Sequence, residues 1–420
     1  MQKSTKLSGQ PIICQLLSFI PKELVNQAVC ENQSDRYYKT MTSYKQLVFM
    51  LYGIIGNIPS LGCLCKSLLF LDGKLSYLGI NELPAKSTFS DANINRKSDV
   101  FERLYYLLLE NYKDDLKNGF VCLPINNEVK TDKVKRFDAT TFSLFSDVFK
   151  GVGRNPISGK KAGGIKAQTI LPFNSLVPDF VVLGAAAVND KTFLGQFIAE
   201  KGYTYVFDKG YVNYRVFDKW TKDGVYFVTR FNENASYRVL KSMEIDNNGI
   251  YIPDGILKDE LIEVKVKGSK SKLTLRLCTY KDPHSGKLLE FLTNNFDYKA
   301  QSIAQLYKNR WTIETFFKQL KQNFQLSNFY SDSEQGIQSQ IWIALIANLI
   351  FTVIYQRTQE CEAFTTIVGM ARTNMGSYVS FIAILNTDKL TEKERSSKIV
   401  QLHIFDAIRG GVLRNEKKSP

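Results

Sequence analysis

Apolar residues recur at helical spacing in three early stretches, Tyr44 to Ile58, Leu61 to Leu71 and Asp99 to Tyr112, and each predicts a helix. Gly56, Pro59, Gly73, Gly79 and Pro84 punctuate them. Before the third stretch, Lys86 to Lys97 predicts a short polar helix capped by Ser87. Its face of Asn93, Arg96 and Lys97 either touches nucleic-acid phosphates and base edges or belongs to an ordinary bundle. Residues 1–125 thus read as a helical N-terminal domain, possibly DNA-binding. Residues 118–132, with Pro124 and Asn126-Asn127, read as a linker.

After the linker the pattern changes. Lys133 to Leu144, Ile165 to Phe173 and Pro178 to Leu183 read as strands, and the glycine-rich run Gly151 to Gly164 as a long flexible connection. Lys191 to Lys201 predicts a helix, Thr204 to Asp208 a strand, Asn213 to Thr221 a helix and Val225 to Arg230 a strand. This order suggests a mixed sheet with helices packed on it, over 130–231. Residues 232–290 read as a β-rich insertion: Leu273, Leu275 and Leu277 alternate with polar residues, and Asp282 to Gly286 carries a hairpin-turn signal. Leu289 to Asn294 returns as a strand. It opens a second part of the core, 291–360, and residues 361–420 form a C-terminal helical region with a basic tail.

Ile303 to Phe324 reads as one amphipathic helix with two unlike faces. At about 100° per residue, Tyr307, Arg310, Glu314, Phe317, Lys318 and Lys321 share one side. Ile313, Phe316 and Leu320 point elsewhere, toward a core. A single carboxylate is fenced by cations and a phenol. Such a face is either a row of solvated i,i+4 ion pairs or part of a site.

Composition narrows the choice. The chain has 420 residues, 44% of them hydrophobic, and a net charge of +14. That is a globular protein suited to a polyanionic partner, because each phosphate neutralised by Lys or Arg releases a condensed counterion. The first ten residues are polar, without the apolar region of a secretory signal. Leu47 to Ile58 and Ile341 to Tyr355 are too short to cross a bilayer and read as buried helices. The seven cysteines are scattered, as in reduced cytosolic proteins. With only two histidines, His284 and His403, a histidine-rich zinc site is excluded. Any metal falls to carboxylates, hence to a hard ion such as magnesium or manganese.

Three acids stand out by position. Asp138 lies in the first core strand, Asp208 at the end of a later strand, and Glu314 on the helix after the β-rich segment. Side chains at strand ends line the crevice of such sheets. Three carboxylates there could hold two divalent cations for phosphoryl transfer. Taken singly, each aspartate could instead serve a turn.

Tyr307, Arg310, Glu314 and Lys321 spell Y-x2-R-x3-E-x6-K. This resembles the signature of bacterial DDE insertion-sequence transposases of the insertion-sequence-four family. Phe137-Asp138-Ala-Thr-Thr141 and Phe207-Asp208-Lys-Gly-Tyr211 resemble the two Asp blocks of that family. Gly163-Gly-Ile-Lys166 and Leu292-Thr-Asn294 fall in matching places, and Gln168 departs from the His that relatives often carry after that Gly-Ile-Lys run. The resemblance covers roughly residues 130–360. It implies an α/β, ribonuclease-H-like mixed-sheet core with a β-rich insertion, preceded by a helical domain. It implies that Asp138, Asp208 and Glu314 are catalytic and bind magnesium, with manganese as substitute. It also implies that Tyr307, Arg310 and Lys321 grip a phosphate near the transposon end.

The expected activity is cleavage at terminal inverted repeats and transfer of 3′ ends to target DNA. The expected partners are double-stranded DNA, as transposon ends and as target, and a second copy in a synaptic homodimer, with no membrane. The expected location is the bacterial cytoplasm, at the nucleoid. Lys318 on the polar face, and Arg154, Lys160, Lys161 and Lys166 in the basic connection, are candidate contacts to DNA; the connection could equally be a solubilising loop. Trp311 and Phe317 read as packing residues rather than base-stacking ones. The rivals are a catalytically inactive DNA-binding descendant of such an enzyme and a hydrolytic nuclease of the same fold.

Overall fold

The computed structural model describes residues 9–116, 125–144, 148–154, 161–232, 235–243, 255–266, 268, 271–283, 285–358 and 362–386, with only the backbone at 150–154 and 161–162. The chain divides into two compact units. Met1–Leu116 joins Gln319–Pro420 in one, and Lys117–Lys318 forms the other.

The first unit is helical. Its N-terminal helices are α1 (Ile12–Leu17), α2 (Lys22–Asn32), α3 (Ser43–Ile55), α4 (Leu61–Leu68), α5 (Lys86–Asn95), α6 (Asp99–Asn111) and α7 (Lys113–Leu116). Thr42 and Ser60 cap α3 and α4 by accepting from backbone N–H groups of the first turn. α5 begins after Ala85, so Ser87 lies inside its first turn and caps nothing. The α5 face, read either as touching DNA or as part of an ordinary bundle, is turned inward at two of its three residues. Asn93 and Arg96 are each 1% exposed. Gln46 donates to Asn93 at 2.6 Å, and Arg96 donates to the Met41 carbonyl at 2.6 Å and to Asp35 at 3.2 Å. Hydrogen-bond partners on neighbouring segments satisfy these polar groups, as the bundle alternative requires. Lys97 stays exposed.

The apolar run from Ile341 is longer than expected as a helix. It lies within a helix of 24 residues, Glu334–Arg357, long and apolar enough to cross a membrane by length and composition, with 94% of its apolar window buried inside the protein. A helix apolar on every side must be surrounded. This one packs on α3, α5, α6 and α7. Gly336 permits a close approach: a Cβ there would run into the Ser331 Cβ and lie 2.8 Å from the carbonyl oxygen of Asn93. The packing also explains why residues from Gln319 onward join the N-terminal helices, although the order along the chain grouped 291–360 with the core.

The second unit is built on a ten-stranded sheet. Its strands are β1 (Val134–Leu144), β2 (Lys150–Arg154), β3 (Lys161–Pro172), β4 (Phe180–Ala185), β5 (Thr204–Phe207), β6 (Tyr226–Arg230), β7 (Tyr237–Ser242), β8 (Ile256–Lys265), β9 (Lys272–Lys281) and β10 (Leu288–Thr293). The order is β2-β3-β1-β5-β6-β10-β9-β8-β7, with β4 also on β3. β1, β3 and β4 run antiparallel in succession, while β5 and β6 run parallel to β1. The glycine-rich connection is therefore partly strand, since Lys150 pairs with Gly163 and Arg154 with Lys161. The β-rich segment is no sheet apart either. β9 pairs directly with β10, Leu277 opposite Leu292, and prolongs the same sheet. The alternating leucines dictate this: Leu273, Leu275 and Leu277 join the cluster that holds Phe227 and Leu292.

The middle strands bury both faces, and the period of two sorts their side chains. Phe137, Tyr205, Phe207 and Phe227 point to one face, where α8 (Asp190–Gln196) brings Phe193 and α9 (Tyr214–Lys222) brings Phe217 and Trp220. Val134, Val206 and Val228 point to the other, against Ile303, Leu306 and Tyr307 of α10 (Ala300–Lys308).

Candidate active site

The same alternation aims the two aspartates. On β1, Val134, Arg136 and Asp138 share the α10 face; on β5, Val206 is followed two residues on by Asp208. Phe137 and Phe207 are partners in the parallel ladder. Asp138 and Asp208 therefore stand side by side, one residue further along neighbouring strands. Asp208 opens a tight 3-10 turn, Lys209–Tyr211, at the strand end.

The expected single amphipathic helix is two helices. α10 ends at Lys308, and α11 (Trp311–Asn323) begins at Trp311. Across the junction the N–H groups of Arg310, Thr312 and Ile313 donate to carbonyls only three residues back. Arg136 fixes the break from below. It is fully buried, donates to the Asn309 carbonyl at 3.4 Å, and is itself held by the carbonyls of Pro172 and Phe173, each at 2.6 Å. Its signal in the sequence was a lone charge between Val134 and Asp138 on the inward face of a strand.

The tightened turn lets Arg310 face both sides. Its Nη1 donates to Asp138 Oδ2 at 2.9 Å and its Nη2 to Glu314 Oε1 at 2.6 Å. Arg310 Nε is buried without a partner. One turn earlier, the Tyr307 hydroxyl donates to Asp208 Oδ1 at 3.0 Å, and its ring packs on Phe291 at 5.0 Å. Three acids from three segments are thus gathered by two residues at the junction of α10 and α11.

Charge and burial follow this geometry. Asp138 is pushed up to about 6, chiefly by burial; Glu314 and Asp208 push the same way, against the Ala139 N–H and Arg310. Burial works against the Arg310 charge, but Tyr307, Asp138 and Glu314 outweigh it and hold the guanidinium above its usual range. Burial also raises the Tyr307 phenol, so it stays a donor. The acids offer a hard, all-oxygen donor set with unneutralised negative charge, which fits a magnesium-like ion. They do not form a closed cage. Among the described residues no group of three acids, histidines or cysteines is disposed to hold a metal, and Arg310 stands between Asp138 and Glu314.

The other expected contacts differ among themselves. Lys318 is exposed on α11, and Phe317 is buried while Trp311 is 66% exposed. Lys321 lies on α11 beyond the boundary at Lys318, and partial burial lowers its amine. Lys166 Nζ is already engaged, by Asp190 at 2.7 Å and the Val188 carbonyl at 2.9 Å. Arg154 and Lys161 have described backbone only, and Lys160 lies outside the described residues. A further network was not anticipated: Tyr211, whose ring lies 4.3 Å from Phe137, donates to Gln168 at 2.8 Å, and Gln168 donates to Asp190 at 2.9 Å. Gln168 thus fills its place with ordinary hydrogen bonds.

Comparison with known proteins points the same way. Residues 131–350, just over half of the chain, match the family model described as the transposase DDE domain. Residues 8–81 match a domain of unknown function, DUF4372. A putative transposase of Sinorhizobium fredii, y4zB, is 31% identical over 47% of this chain, and the match spans 55% of that relative's length. The probable transposase for insertion sequence element IS5377 of Geobacillus stearothermophilus is 23% identical over 63% of this chain and 67% of its own. Among solved structures, a piggyBac transposase synaptic complex with hairpin DNA covers 94% of this chain and 85% of that one, at 11% identity and a TM-score of 0.41, too distant to bear on the fold.

Proposed function

The chain belongs to the DDE transposase family, whose members are nuclease/transferase enzymes, and on that premise we propose that it binds the terminal inverted repeats of an insertion sequence, cleaves the DNA and transfers the 3′ ends to target DNA. The observation that carries this reading is the gathering of Asp138, Asp208 and Glu314 by Arg310 and Tyr307. The strand order β4-β3-β1-β5-β6, three antiparallel and two parallel to β1, supports a ribonuclease-H-like core. The spacing from Tyr307 to Lys321 supports the insertion-sequence-four branch.

In this reading Asp138, Asp208 and Glu314 hold magnesium, or manganese in its place. The bound ion supplies charge neutralisation at the attacking and leaving oxygens of a phosphate. The chain does the rest. Arg310, Tyr307 and Lys321 grip backbone phosphate beside the acids, and fixing the scissile phosphate there supplies the orientation that phosphoryl transfer needs. Arg136 holds the turn that aims Arg310. Lys318, Arg154, Lys160 and Lys161 add charge along the duplex; Lys166 would first have to leave Asp190. Residues 1–125 form the DNA-binding helical part, and two copies pair the two ends in the nucleoid.

Asp138→Ala or Glu314→Ala abolishes magnesium-dependent cleavage of a terminal-repeat duplex while end binding in a gel shift persists. Cutting at the wild-type rate by either variant would falsify the assignment. A second reading, a DNA-binding protein without catalysis, draws on Arg310 lying where a cation would be expected; it predicts a gel shift without any magnesium-dependent nicking by the wild type.

A further inference from the structure

We propose that Arg310 is a resident counter-cation of the acid site, which neutralises Asp138 and Glu314 until a DNA phosphate draws it away and a divalent cation can bind tightly. The inference rests on the reading of these acids as metal ligands. It concerns what holds the site before DNA arrives.

The geometry points to exchange rather than permanent structure. Arg310 spends one nitrogen on each carboxylate, 2.9 Å from Asp138 and 2.6 Å from Glu314. It does not form the two-pronged pair with a single carboxylate that a planar guanidinium favours. Its third donor, Nε, is buried and has no partner. The side chain is also closed on one end and open on the other: Arg310 is 10% exposed and Asp138 19%, but Glu314 is 36% exposed. A phosphate arriving from the Glu314 side meets the open edge first.

Charge then makes the exchange obligatory. A divalent cation shared by Asp138 and Glu314 would lie within a few ångströms of the guanidinium, and like charges that close repel strongly at the low effective dielectric of a half-buried site. One cation must leave. Arg310 can leave cheaply only toward another anion, and a phosphate accepts it through two parallel hydrogen bonds. DNA and metal therefore help one another to bind. By linkage, the factor by which duplex tightens metal equals the factor by which metal tightens duplex. If Arg310 instead serves only to keep the carboxylates together, its removal lets them splay and metal binds more weakly.

The test is calorimetric titration of manganese into the full-length chain without DNA, with Asp138→Asn as the control for binding outside the site. Arg310→Gln is expected to bind manganese on the order of tenfold more tightly than wild type. Equal or weaker binding by a folded Arg310→Gln overturns the proposal. A second arm needs only the wild type: fluorescence anisotropy of a short generic duplex, with and without manganese at constant ionic strength. Manganese is expected to tighten wild-type binding by about the same factor, with no tightening in Asp138→Asn; equal affinity in the two conditions overturns the proposal even if Arg310→Gln does not fold. The failure of the underlying reading looks different. There, Asp138→Asn and wild type take up manganese identically, whereas failure of this inference alone leaves that difference intact and removes only the effect of Arg310.

Discussion

Two arginines of the sheet unit each meet buried carboxylate, and they do it differently. Arg276 on β9 pairs with Asp259 on β8 through two parallel hydrogen bonds, Nε to Oδ1 at 2.8 Å and Nη2 to Oδ2 at 2.6 Å. Both side chains are almost sealed, at 5% and 4% exposure. The remaining nitrogen, Nη1, donates to the carbonyls of Tyr298 and Phe296. Arg310 divides itself between Asp138 and Glu314, keeps Nε unpartnered, and leaves Glu314 toward solvent. The first cluster is finished: every donor and acceptor has its partner, and nothing is left over for a ligand. The second is unfinished: one buried donor is left over and one carboxylate reaches solvent. Counting ion pairs would rank the two alike; hydrogen-bond geometry and exposure separate them.

The largest effect expected from breaking this comparison is at the sealed pair. Arg276→Met leaves Asp259 buried and unpaired, which costs about 3–5 kcal/mol. A urea melt followed by circular dichroism reads it as a lower midpoint with an unchanged slope. Adding Asp259→Leu restores most of the loss, because the uncompensated charge is then gone. The same urea melt on Arg310→Gln shows a smaller loss, since Glu314 can be solvated in place. If Arg310→Gln costs as much as Arg276→Met, the two clusters are the same kind of object, both structural.

A second effect is a pH dependence at the open cluster, added to that of Asp179 and Glu102, whose carboxyls burial also raises. Asp138 sits at about 6, above its ordinary 3.8. A carboxyl raised in the folded state favours folding when protonated. Its contribution is complete below about 4, declines as pH rises, and is lost above about 6. Two units correspond to roughly 3 kcal/mol. Metal-free protein is therefore expected to lose stability between pH 4 and 6, and Asp138→Asn to show a shallower slope, that left by Asp179 and Glu102. Saturating manganese should reverse the slope in wild type, because the cation competes with the proton. A wild-type profile that is flat without metal, or a slope in Asp138→Asn equal to that of wild type, would remove Asp138 as a contributor.

Much of this was legible in the chain before folding. The period of two on β1 and β5 put Asp138 and Asp208 opposite Phe137 and Phe207, and the spacing from Tyr307 to Glu314 put three functional groups on one side. What stayed hidden depends on partners distant in sequence. The break between α10 and α11 cannot be read from a stretch whose apolar periodicity is continuous, because the group that donates across it, Arg136, lies 173 residues from Asn309. The polar face of α5 stayed open between DNA contact and a bundle for the same reason: Gln46 and Asp35, not composition, decide where Asn93 and Arg96 go. The β-rich segment was recognised by alternation, but alternation names the buried face and not the neighbour, so its continuity with β10 emerged only from the register.

The smallest effect, and the one that divides the roles most finely, is at Tyr307. Its ring is buried against Phe291 and its hydroxyl donates to Asp208 at 3.0 Å. Tyr307→Phe keeps the ring and deletes the hydrogen bond, so stability should fall by only about 1 kcal/mol. The hydroxyl has two candidate duties, orienting Asp208 for a cation or contacting phosphate, and they move different numbers. If it orients Asp208, manganese affinity falls severalfold without DNA, while affinity for a generic duplex in the absence of metal is unchanged. If it contacts phosphate, the duplex affinity falls and the manganese titration does not move. The 3.0 Å contact to Asp208 favours the first outcome. Tyr307 would then stand beside Arg310 as a residue that acts on the acids themselves, one by orienting and the other by neutralising.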